Sequence, residues 1–248
     1  MEEVYERLRR HAREVARELG IPSFYRDHDR EVDTSLGNLV EDRILSSLRT
    51  HISQLLEDDF GHGARHALLV TRDAGALVLI RAKELDIAEP EARAVLRCTQ
   101  AAGLLHDVRR KEPSHALKSA EASRSLLDGF DFTPEQIEEI AQAIANHEAF
   151  QTPKQMRSRA GQVMSDCLYD ADKFRWGPDN FTDTVWYMAS FYKAPFSMFR
   201  KAYQQGIEAI ERIKDTFRTP TGRTYGAEII DMGLAIGRRV ISPLIEET

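Results

Sequence analysis

The spacing of apolar residues constrains this chain most: nearly every segment repeats at the period of a helix, and no run alternates in twos. Val4, Leu8, Val15 and Leu19 mark one stripe, stopped by Gly20 and Pro22. Residues 24–38 are polar and irregular and read as a loop. Leu39, Ile44, Leu48, Ile52, Leu55 and Leu56 predict a helix over 39–56, and Gly61 and Gly63 break the chain before a helix over 64–85. Pro90 suits the first turn of the next helix, which ends near Asp107. Ser114 is placed to cap a helix running to about Leu127, and Thr133–Pro134 with Gln136 has the form of a capping box. Further helices are expected over 159–174, 195–217 and 225–240, the last two joined by a turn-rich loop over 218–223. The expected fold class is all-α.

Composition narrows the function. The chain is 42% hydrophobic and 30% charged, as an ordinary globular protein is. Its net charge of −6 argues against a general nucleic-acid or anionic-membrane binder. The most apolar stretch, 74–80, is far shorter than the roughly 20 residues a membrane span needs. The charged N-terminus has no apolar signal region, so a cytoplasmic protein is expected, with Cys98 and Cys167 as buried thiols of a reducing compartment. Ten of the 20 aromatic residues lie between Phe174 and Tyr203, and Phe181, Trp186, Phe191 and Phe199 read as core packing.

The chemistry concentrates in the histidines, five of the eight falling between His62 and His147. Residues 101–105 are small and apolar and should be buried, yet they run directly into His106 and Asp107. A buried carboxylate beside a buried imidazole is costly unless a cation compensates, and a divalent metal does so directly. His66 opens an amphipathic segment, and Asp170 and Asp172 sit inside an apolar stretch far downstream. His11, His28 and His51 carry no supporting pattern and read as surface residues.

The order His66, then His106–Asp107, then Asp172 resembles the HD superfamily of metal-dependent phosphohydrolases over roughly residues 60–175. The resemblance implies an HD-domain helical bundle, with N-terminal helices over 1–59 and an aromatic-rich helical extension over 176–248, all in one domain. It implies His66, His106, Asp107 and Asp172 as metal ligands, with Asp170 the competitor for the last role. In family branches with two metals, histidines placed like His115 and His147 hold the second ion and the Asp107 position bridges both. The alternative is a one-metal site, with His115 and His147 touching substrate or capping helices. Two positions depart from the family pattern: Val108-Arg109-Arg110 lacks the usual glycine, and Leu69 stands where an arginine is common.

A phosphohydrolase would act on a small phosphorylated substrate, through water activated by divalent metal. Fe, Mn, Zn, Ni and Mg are not distinguished by this donor set. Arg109, Arg110 and Lys111 are candidates for neutralising the leaving oxygen, with Lys118 and Lys173 as further substrate contacts. Glu148 is a candidate for orienting His147 or relaying a proton, and His62 for lining the entrance. An HD-fold di-iron oxygenase and a non-catalytic nucleotide sensor are the alternatives. No P-loop or dinucleotide-binding glycine fingerprint occurs, and a homodimer is left open.

Overall fold

The computed structural model describes residues 3–53, 63–192 and 196–246, with side chains over 3–53, 63–189 and 198–241. Leu55, Leu56, His62 and the side chain of Phe191 therefore lie outside the described residues. Twelve α-helices and no strand occur among those described. They are α1 (Glu3–Leu19), α2 (Ser23–Asp27), α3 (Asp29–Glu41), α4 (Arg43–Ile52), α5 (Ala64–Glu84), α6 (Glu89–Leu105), α7 (His115–Leu127), α8 (Pro134–Ala145), α9 (Arg159–Phe174), α10 (Val185–Tyr192), α11 (Phe196–Glu211) and α12 (Pro220–Glu246). No helix among the described residues is long and apolar enough to cross a membrane.

Helices α5, α6 and α9 form the centre and pack on one another. From Val95 to Leu105, α6 is buried on almost every side, and fully burying each of its leucines is worth about 1.5–3 kcal/mol. Close approach of α5 and α6 depends on Gly103, where an added Cβ would lie 2.8 Å from the Thr71 Cα. Helices α3 and α4 cover one side of this core, α7 and α8 another, and α1 packs against α12.

The segment expected to be a loop at 24–38 is instead α2 and most of α3. Its apolar period is hidden because the face turned to the core is partly polar. Ser35 is fully buried and donates to the Arg72 carbonyl, while Asn38 donates to Gln100 Oε1 at 2.6 Å. Buried Gln100 in turn donates to the Ser35 carbonyl at 2.7 Å, so hydrogen bonds replace apolar contacts along that seam. The helix expected over 39–56 is divided at Asp42, whose carboxylate accepts from the Ile44 and Leu45 amides and starts α4 afresh.

Thr133, Pro134 and Gln136 form the expected capping box on α8. Ser114 does not cap α7: it adopts a left-handed conformation with φ 56° and its side chain accepts nothing from the helix. The expected loop at 218–223 is largely the first turn of α12. There Thr219 Oγ1 accepts from the Gly222 amide and Pro220 occupies the first helical position. Phe181, Trp186 and Phe199 are buried as core, with Trp186 donating to the Phe181 carbonyl. Cys98 and Cys167 are buried thiols, with burial pushing Cys98 up to about 12.

Candidate metal centre

The histidines and aspartates converge because each sits at or just beyond a helix end. His66 is in the first turn of α5 and His115 is the first residue of α7. His106 and Asp107 follow α6, His147 follows α8, and Asp172 is in the last turn of α9. Three C-terminal helix ends thus meet, and the partial negative charge of a helix C-terminus favours a cation.

Two clusters share Asp107. In the first, His66 Nε2 lies 3.2 Å from His106 Nε2, 3.4 Å from Asp172 Oδ1 and 3.9 Å from Asp107 Oδ2. His106 Nε2 lies 3.6 Å from Asp107 Oδ2 and 3.8 Å from Asp172 Oδ1. In the second, His115 Nε2 and His147 Nε2 each lie 3.6 Å from the other oxygen, Asp107 Oδ1. The two carboxylate oxygens therefore face different clusters. Donors about 2.1 Å from a tetrahedral ion stand roughly 3.4 Å apart, so the first cluster has the spacing a metal needs.

The protonation states fit the same purpose. His106 Nδ1 donates to the Gly103 carbonyl at 2.8 Å and His147 Nδ1 to the Ile144 carbonyl at 2.6 Å. A carbonyl only accepts, so each ring keeps its proton on Nδ1 and turns a bare Nε2 lone pair inward. Burial pushes His106 down to about 4, and burial also lowers His115. Burial opposes the charge on Asp107, yet His106, His147 and Arg110 hold it well below the usual carboxylate range. Asp172 is held low likewise against burial, chiefly by Lys173, whose Nζ donates to its Oδ2 at 2.5 Å. Bare imidazole nitrogens beside ionised carboxylates form a set that a divalent cation completes.

Asp170 faces elsewhere. Its two oxygens accept from the Arg218 and Thr219 amides, each at 2.8 Å, and hold the chain entering α12. Burial pushes its carboxyl up to about 6.

A cavity of about 320 Å³ opens on both clusters, and Arg110, Glu148, Lys173 and Arg175 line it. A smaller one of about 150 Å³ shares His66, Arg175 and Thr184 with it and reaches Arg65. Arg109, Lys111 and Lys118 are exposed and do not line the larger cavity; Arg109 lies 3.6 Å from Glu112 and Lys118 3.1 Å from Glu121. Of the basic residues singled out from the sequence, Arg110 and Lys173 face the clusters.

The sequence reading missed the wall of the cavity. Arg175 is buried, bonded to Tyr25 and Asp179, and donates to Asp73 Oδ2 at 2.5 Å. Asp73 is fully buried and also accepts from Tyr25 Oη at 2.8 Å and from Arg72 Nε at 2.8 Å. A signal was present: Asp73 lies two helical turns after His66, directly before the apolar stretch 74–80, where a carboxylate carried into the core demands a partner.

Fold and site together give an all-helical domain whose His and Asp side chains form two clusters that could each hold a metal ion. No family model matches the chain, and no curated protein does. Among solved structures it is similar to the crystal structure of a predicted HD superfamily hydrolase from an uncultured Thermotogales bacterium, at 19% identity and a TM-score of 0.50, covering 83% of this chain and 97% of that one. The likeness shows the fold.

Proposed function

We propose that this chain is a metal-dependent phosphohydrolase acting on a small phosphorylated substrate. One observation carries the reading: Asp107 gives one oxygen to each of two donor clusters, at the floor of a cavity lined by Arg110, Lys173 and Arg175. The structural neighbour's description as a predicted hydrolase supports the same reading.

His66, His106, Asp107 and Asp172 would hold one divalent ion, and His115, His147 and Asp107 would hold a second. When bound, such ions supply a Lewis acid and bring the pKa of water toward neutrality. The protein's own groups supply the rest. Lys173 and Arg110 are placed to pair with phosphoryl oxygens, whose charge grows during displacement. Glu148, half-buried in the cavity wall, is placed to relay a proton to the leaving oxygen. The Arg175–Asp73–Tyr25 network keeps the wall beside His66 rigid.

The test is a screen of phosphomonoesters, nucleotides and cyclic dinucleotides with Mn, Fe, Zn, Ni or Mg, following phosphate or nucleotide release. Turnover is expected to be lost in His106→Ala and Asp107→Ala while the helical circular dichroism spectrum remains. Oxygen consumption with a di-iron visible spectrum and no phosphoester cleavage would replace this reading with the oxygenase one.

A further inference from the structure

Arg110 stands directly against the second donor cluster. Its Nη1 donates to His115 Nε2 at 2.7 Å and lies 3.9 Å from Asp107 Oδ1. A guanidinium only donates, so His115 must accept through its Nε2 lone pair. That lone pair is the one a metal would need, and Asp107 Oδ1 is the oxygen that His115 and His147 share. His66 Nε2 and His106 Nε2 face each other and the two carboxylates. In the first cluster the basic group, Lys173, pairs with the outer oxygen of Asp172 and leaves Oδ1 turned to the histidines.

We infer that Arg110 is a built-in cation that occupies the second metal position, so that a second ion binds only by displacing it. The inference rests on the metal reading above and adds an order of filling. The four-donor cluster takes its ion first. A second cation then competes with a tethered guanidinium for His115 and Asp107, because the single lone pair of His115 Nε2 serves one partner at a time. Arg110 is free to leave because its side chain is only part-buried, on the turn between α6 and α7. Once displaced it remains on the cavity wall, where a substrate phosphoryl group is the natural partner for its fork of donors. Second-metal binding and presentation of Arg110 to substrate are then one event.

The experiment counts ions rather than turnover. Metal-free protein is titrated with Mn²⁺ by calorimetry, and bound manganese is measured after dialysis, with electron paramagnetic resonance reporting a spin-coupled pair. Wild type is expected to retain one ion and to take a second weakly. Arg110→Gln and Arg110→Met should bind the second ion about ten-fold tighter or more. They should show the coupled-pair signal at lower Mn²⁺, and adding His115→Ala to either should return it to one ion. Circular dichroism melts verify that each variant is folded. If wild type and both Arg110 variants bind a single ion, or if two ions bind with affinities that the variants do not change, the inference is wrong and the four-donor cluster still stands. A protein that takes up no ion at all overturns both.

Discussion

Asp170 and Asp172, two residues apart on α9, face different partners, and their substitutions should fail in different ways. Asp172 points Oδ1 at His66 and His106, so Asp172→Asn should lose the first ion, measured by metal content, while the fold remains. Asp170 holds two backbone amides, and an asparagine there would set its own amide against one of them. Asp170→Asn should therefore keep its metal and lower stability by about 1–3 kcal/mol, read from denaturant midpoints. Loss of metal in Asp170→Asn would reverse the assignment. His106 makes a separate prediction for the metal-free protein. Its folded pKa, about 4, lies below the ordinary value of 6.5, so the unfolded chain binds more protons between those values. Stability from this group is intact above pH 6.5 and falls as pH drops toward 4. Melting temperatures of chelated protein over that window should drop with acid, and less steeply in His106→Gln; equal slopes would show that His106 is not buried neutral.

At the level of elements, α6 delivers His106 and Asp107 because its small residues let it lie against α5. An alanine at Gly103 would press on the Thr71 backbone, and overpacking of this kind costs about 1–3 kcal/mol. Gly103→Ala should lower the melting temperature and weaken metal retention together, since the Gly103 carbonyl also orients His106. Gly37 offers the opposite case: it lies within α3 with no atom within 4 Å of an added Cβ, so Gly37→Ala should raise stability by up to about 1 kcal/mol and leave metal content unchanged. A matching loss in both variants would mean that the close approach of α5 and α6 is not what matters. Helix α3 itself was illegible from apolar period because Ser35 and Asn38 meet Gln100 by hydrogen bonding. The α8 capping box was legible because its residues act within one turn. The start of α12 carried the same kind of local signal in Thr219 and Pro220, obscured by the turn-forming residues around it.

Across the whole molecule, α5, α6, α7, α9 and the end of α8 all contribute to one centre, so ligand binding should act on global stability. Adding Mn²⁺ to metal-free protein at about 100 times its dissociation constant should stabilise the fold by about 2.7 kcal/mol, seen as a rise in melting temperature. His66→Ala should abolish that rise, and a rise that survives it would place the ion elsewhere. The helical class, the sequential order of His66, His106–Asp107, His115, His147 and Asp172, and the capping of α8 follow from the sequence alone. Period and residue chemistry act over a few neighbours, and those features need nothing more. Tertiary structure decided which groups meet. Arg109, Arg110 and Lys111 are chemically alike and adjacent, yet the turn after α6 brings Arg110 onto His115 and into the cavity wall, while neither of the other two lines the cavity among the described residues. Arg175, Asp73 and Tyr25 come from three helix regions and form one buried network. Their partnership depends on how α2, α5 and the end of α9 pack, and such long-range packing leaves no period in the chain.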